Sequence, residues 1–202
     1  MNTTKRIVAA LCISALSIAG TTACNSNGPG GAEKAEVLTT FTILQDITAN
    51  IAGDTLTVRS LTQPGAEVHG YDPSPTDIAA ASNAELIINN GLGLEHWLDK
   101  LTADSKAKRV TASDGITPIN IKGTDQPNPH AWMSPSIAKT YVDNIVKALS
   151  DLRPDNAQTY EDNGDKYKDK LDDVQTELHT GLKKLPRSQR ALMTCEGAFS
   201  YL

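Results

Sequence analysis

From Val37 onward the chain alternates short apolar runs with helical ones, and that alternation restricts the fold more than any other feature. Val37 to Phe41 reads as a strand, Ile43 to Ala52 as a helix and Leu56 to Leu61 as a strand. Strands joined through a helix pair in parallel, and parallel sheets are covered by helices on both faces, so the fold class is α/β. The pattern then continues. Pro75 starts a helix reaching about Asn83, Ala84 to Ile88 is a buried strand, and the turn Asn90-Gly91-Leu92-Gly93 leads to a helix with Leu94, Trp97, Leu98 and Leu101 on one face. That lone Gly-x-Gly is too weak to mark a phosphate loop. Lys108 to Thr111 and Ile116 to Ile119 read as short strands, and Ile137, Tyr141, Ile145, Val146 and Leu149 recur at helical spacing to about Asp151.

A second constraint is the length of the last helix. Pro154 to Leu185, closed by Pro186, carries apolar or small residues at three- and four-residue steps, among them Tyr160, Gly164, Tyr167, Leu171 and Leu178. At 1.5 Å per residue it would reach roughly 45–50 Å, longer than one small domain is wide. A two-stranded coiled coil shows the same spacing, but Gly164 and the broken flanking charge pairs favour a packed spacer helix. Past Pro186, Arg190 to Thr194 reads as a strand and Cys195 to Leu202 as a loop opening toward a helix. Together they look like the start of a second α/β lobe.

The first 23 residues form a targeting segment, with Lys5 and Arg6 ahead of an apolar run from Ile7 to Gly20 that is too short to span a bilayer. Thr21-Thr22-Ala23 is a small-residue cleavage site before Cys24, the pattern of a bacterial lipobox in which Cys24 becomes the diacylated N-terminus. Thr21 departs from the larger aliphatic residue usual there, and an ordinary secretory signal is the alternative. Residues 24–36 are Gly-rich and polar, a flexible tether. Of the three cysteines, Cys12 leaves with the leader and Cys24 carries lipid, so Cys195 has no partner for a disulfide. The formal charge is −5 and two of the cations, Lys5 and Arg6, belong to the leader, which leaves −7 on the exported part. That balance argues against nucleic acid and against a polybasic membrane patch. The expected division is leader 1–23, tether 24–36, an α/β lobe 37–153, a linker helix 154–186 and the start of an incomplete lobe 187–202.

Two histidines stand out. His130 lies in Asn128-Pro129-His130-Ala131-Trp132-Met133-Ser134-Pro135, where Pro129 holds Asn128 extended and Pro135 fixes φ at a helix start, so its imidazole is aimed at a set point. His69 lies in a near echo, Glu67-Val68-His69-Gly70-Tyr71-Asp72-Pro73-Ser74-Pro75. Each follows a predicted strand, and ligands in open α/β sheets bind beyond the carboxyl ends of strands, so the two suggest one shared metal site. Taken singly, each reads first as a loop histidine bonded to backbone. His96 reads as a rim residue and His179 as a solvated one.

These residues resemble the metal-binding solute-binding lipoproteins of bacterial ABC importers for manganese, zinc or iron. The resemblance runs from about Val37 to Leu202, on Thr39-Thr40-Phe41-Thr42-Ile43-Leu44, Pro64 to His69, Tyr71 to Pro75, Asn90 to Glu95, Asn128 to Trp132 and Cys195 to Tyr201. It implies two α/β lobes joined by one long helix, with the metal between them. It further implies His69 and His130 as the first two ligands and Glu196 as the third, while the family's fourth, an Asp, has no counterpart here. The sequence therefore looks C-terminally truncated, with impaired capture expected. A Glu third ligand belongs to the manganese and iron branch, and two imidazoles with carboxylate oxygen suit Mn²⁺ or Fe²⁺, although Zn²⁺ outcompetes Mn²⁺ at such sites on affinity. Val68 stands where a proline is common and Glu67 where an Asp is usual, which leaves the His69 loop less stiff. Cys195 replaces a Ser or Thr and is read as a packing residue.

The expected activity is thus capture of a divalent ion outside the cell for a cognate ABC permease, by a non-enzymatic monomer lipid-anchored to the outer face of the membrane. A surface adhesin is one alternative and a metallohydrolase another. For the latter no His-Glu-x-x-His helix or clustered carboxylate pair is present, and no Gly-x-Ser-x-Gly elbow marks a serine hydrolase.

Overall fold

The computed structural model describes residues 36–192 and 197–202, so Cys24, Cys195 and Glu196 lie outside the described residues. Four strands, β1 (Glu36–Thr39), β2 (Thr57–Ser60), β3 (Leu86–Asn89) and β4 (Lys108–Thr111), form one parallel sheet in the order β2-β1-β3-β4. The strand order reverses between β1 and β3, which opens a crevice beyond their carboxyl ends. The α/β reading of the sequence is the observed fold.

The two faces of the sheet follow from residue alternation. Val37, Leu86 and Ile88 face one layer while Leu38 and Ile87 face the other, as the period of two demands, and β3 is buried along its whole length. The larger layer packs under α1 (Thr42–Ala52), α4 (Pro135–Leu152) and the start of α5 (Ala157–Lys183). Leu44, Ile47 and Ile51 on α1 and Tyr141, Ile145 and Leu149 on α4 sit three or four residues apart and turn one stripe of each helix inward. Each such side chain contributes about 1.5–3 kcal/mol by leaving water. The smaller layer is closed by α2 (Pro75–Asn83) and the single turn α3 (Leu98–Leu101), with Trp97, Leu98 and Leu101 buried against Leu38 and Ile87.

Four elements differ from expectation, each for a local reason. The helix predicted from Leu94 begins only at Leu98, because Gly91, Leu92 and Gly93 all hold positive φ and the chain spends residues 91–97 in turns. Leu94 and Trp97 are buried all the same, but in different layers. The predicted strand Ile116 to Ile119 is not in the sheet. It leads instead into a short antiparallel tongue, in which Ile121 N–H donates to Gln126 carbonyl at 2.8 Å and Asn128 N–H to Ile119 carbonyl at 2.8 Å. His130 therefore follows this tongue and not a strand. The long helix is shorter than predicted: Pro154–Asn156 form a 3-10 turn, and α5 stops at Lys183, short of Pro186, whose ring disfavours helical backbone at Leu185. Its 27 residues span about 40 Å. Finally, Arg190 to Leu192 are irregular, while Met193 and Thr194, the rest of that predicted strand, lie outside the described residues.

Contacts of α5 with the lobe run along it from Tyr160 to Asp172. Tyr160 is fully buried and its hydroxyl lies 2.8 Å from Thr55 Oγ1, Asn163 Nδ2 donates to Ile51 carbonyl at 3.0 Å, and Lys139 pairs with Asp172. Beyond Leu171, Val174 and Leu182 are exposed.

Candidate metal centre

The crevice edge is built by Asn90, the first residue after β3. Asn90 is fully buried. Its Nδ2 donates to Pro129 carbonyl at 3.0 Å, and its Oδ1 accepts from the Tyr141 hydroxyl at 2.8 Å. The loop carrying His130 is thus pinned to the end of the sheet from below. Glu95 fixes Asn90 in turn: its carboxylate accepts from Asn90 N–H at 2.7 Å, Gly91 N–H at 3.1 Å and the Thr40 hydroxyl at 2.6 Å. Burial raises the Glu95 carboxyl above its ordinary range, although these three donors pull against that rise. Of the two glycines in the turn, Gly91 serves this tight approach. A Cβ on Gly91, which has φ +83°, would fall 2.3 Å from Thr111 Cγ2.

His130 is only 7 % exposed. Asn128 Oδ1 accepts its backbone N–H at 3.0 Å and faces its ring Nδ1 at 2.9 Å. Because Asn128 Nδ2 is already donating to Gly197 carbonyl at 3.1 Å, the oxygen is the atom turned to the ring, which places the proton on Nδ1 and the lone pair on Nε2. A ligating histidine needs that tautomer.

His69, on the exposed loop after β2, is brought to the same point. Its Nε2 stands 3.4 Å from His130 Nε2, with the rings tilted by 58°. Val68 carbonyl accepts the Trp97 indole N–H at 2.8 Å, and Glu67 Oε1 accepts the His69 backbone N–H at 2.8 Å. The loop expected to be slack without its proline is therefore tied by Trp97 and by the Glu67 side chain. The pair opens on a cleft of about 340 Å³ lined also by Glu67, Gly70, Ile121 and Pro129.

A separation of 3.4 Å is long for an N–H···N bond yet suits two nitrogens sharing an ion. With each about 2.0–2.1 Å from a tetrahedral metal, they would lie about 3.3–3.4 Å apart. Among the described residues no third His, Cys, Asp or Glu joins them. Glu196, expected as the third ligand, lies outside the described residues, although Gly197, its neighbour in sequence, bonds Asn128. His96 is exposed and His179 lies on the exposed side of α5. Sequence reasoning missed Asn90, Trp97, Asn128 and Tyr201 as supports; a polar residue two before a predicted ligand was the one available signal, at Asn128.

Residues 37–202 match the family described as ZnuA, the periplasmic component A of zinc-uptake complexes. The iron-binding protein YfeA of Yersinia pestis is 46 % identical over 191 residues, an alignment covering 92 % of this chain and 61 % of YfeA. The manganese ABC transporter substrate-binding lipoprotein PsaA of Streptococcus pneumoniae is 35 % identical over 180 residues, covering 84 % of this chain and 58 % of PsaA. Among solved structures, the Mn-bound periplasmic metal binding protein of Candidatus Liberibacter asiaticus superposes with a TM-score of 0.78 at 41 % identity, covering 83 % of this chain and 64 % of that one. The chain thus spans about three fifths of the length of the curated relatives it matches.

Proposed function

Because the chain belongs to the ZnuA family of periplasmic metal-uptake components, we propose that it captures one divalent cation outside the cytoplasm and presents it to a cognate ABC permease. The observation that carries this reading is the convergence of His69 and His130 Nε2 to 3.4 Å at the sheet edge, with the His130 proton committed to Asn128. The preferred cargo is Mn²⁺ or Fe²⁺, since Glu196, the third ligand implied by family resemblance, adds carboxylate oxygen to two imidazoles, and relatives are named for manganese and for iron. Zn²⁺ competes at such a nitrogen-oxygen set. Binding and delivery are the whole task, and no bond of a substrate is broken. Relatives carry the names of substrate-binding components, which supports this class over an adhesin or a metallohydrolase.

Cys24 carries the lipid in this reading, the tether to residue 36 lets the lobe stand off the outer face of the membrane, and the protein acts as a monomer. Calorimetric titration of the chain with Mn²⁺ and, separately, with Zn²⁺ tests the proposal. One ion per chain, bound less tightly as the pH falls and the imidazoles protonate, is the expected result. Absence of saturable binding for either ion would reject it.

A further inference from the structure

Asn128 stands between the histidine pair and the last turn of the chain, and all of its polar atoms on that side are engaged. Its Oδ1 serves His130, its Nδ2 donates to Gly197 carbonyl at 3.1 Å, and its own carbonyl accepts the Tyr201 hydroxyl at 2.6 Å. The same hydroxyl accepts Ile119 N–H at 3.2 Å, so Tyr201 bridges both arms of the tongue that leads to His130. Residues 197–202 are therefore docked on the first lobe.

The chemistry of an amide makes this arrangement selective. An asparagine side chain presents an acceptor on one branch and a donor on the other, and the two differ little in shape. Turned one way, it accepts from Nδ1–H and leaves the Nε2 lone pair facing the cleft. Turned the other, its NH₂ would donate to Nδ1 and drive the proton onto Nε2, which then could not ligate. His130 backbone N–H, a donor only, and Gly197 carbonyl, an acceptor only, together decide between the two. We infer that Asn128 is the positioning residue that sets the His130 tautomer, and that Tyr201 is the latch holding Asn128 and Gly197 in register. This rests on the metal-capture reading, and it makes metal competence of the first-lobe histidine depend on a turn that follows the long helix and lies one residue past Glu196 in the sequence.

The test uses the full chain, with imidazole nitrogen chemical shifts read on the metal-free protein at a pH where the rings are neutral, and Zn²⁺ affinity read by titration. Wild type should show His130 protonated at Nδ1. Asn128→Asp, which keeps an acceptor toward the ring, should preserve that tautomer. Asn128→Ala should shift it toward Nε2–H and weaken Zn²⁺ binding by about 10–100-fold. Tyr201→Phe, which keeps the ring and its packing, should move both readouts in the same direction by a smaller factor. Unchanged nitrogen shifts and affinity in Tyr201→Phe overturn the latch, and an unchanged tautomer in Asn128→Ala overturns the positioning role. A wild type that takes up no ion rejects metal capture instead, while the metal-free shifts still decide the positioning.

Discussion

Gly164 on α5 meets Val146 on α4 so closely that a Cβ at residue 164 would lie 2.5 Å from Val146 Cγ2. Replacing a mid-helix glycine by alanine ordinarily gains up to about 1 kcal/mol. Here the methyl meets a β-branched side chain that is stiff at χ1, and overpacking costs about 1–3 kcal/mol. Gly164→Ala should therefore lower the unfolding free energy, by up to about 2 kcal/mol, in urea titration. A stabilised variant would show that α4 and α5 are not in this contact.

At the start of α2, Ser74 and Asp77 form a capping box: Asp77 N–H donates to Ser74 Oγ, and Ser74 N–H and its hydroxyl both donate to Asp77 Oδ2 at 2.7 Å. Tyr71 adds its hydroxyl at 2.9 Å. Burial alone would raise the Asp77 carboxyl, but the bonds from Ser74 and Tyr71 outweigh it and hold the group below its ordinary 3.8. For an acid lowered in the folded state, the stabilisation is present above 3.8 and is lost as the pH falls through the folded value. Asp77→Ala should cost about 1 kcal/mol at pH 7 and lose that deficit in strong acid, as followed by thermal unfolding across pH.

Glu95 titrates with the opposite sign. Its carboxyl is raised by burial above 4.5, so the folded chain takes up a proton that the unfolded chain has already released. That contribution is present below pH 4.5 and declines as pH rises through the folded value. Glu95→Gln should flatten this slope. It should also cost about 1–3 kcal/mol in acid, since the amide NH₂ would compete with Gly91 N–H for the same place. An unaltered pH profile would mean that Glu95 titrates as an ordinary surface acid.

The sheet and its helices were legible because β3 is a continuous apolar run and α1 and α4 carry stripes at helical spacing. His69 and His130 were legible as a pair from their proline-flanked loops, although the route to His130 was not. Ile116 to Ile119 has the apolar content of a strand, and only tertiary placement turns it into the approach to a tongue. Asn90, Trp97 and Tyr201 act through backbone carbonyls 39, 29 and 73 residues away, and no local spacing encodes such partners. The truncated α3 shows the same limit: Leu92, at φ 54°, is a left-handed non-glycine residue that sequence propensity would never place there.

The proposed lipid anchor rests on the small-residue site before Cys24 and the polar sequence after it. Cys24→Ala, expressed in a bacterial host, should appear in the soluble exported fraction while wild type partitions with membranes. Retention of the variant on membranes would contradict the anchor.

The central claim is that His69 and His130 hold one ion between them, and a double-mutant cycle in Mn²⁺ affinity tests it most directly. Wild type, His69→Ala, His130→Ala and the double variant are titrated under one set of conditions. The account predicts one ion per wild-type chain, a loss of tenfold or more in each single variant, and little further loss in the double, because removing either imidazole already dismantles the site. Additive losses, or single variants that bind as tightly as wild type, would contradict it.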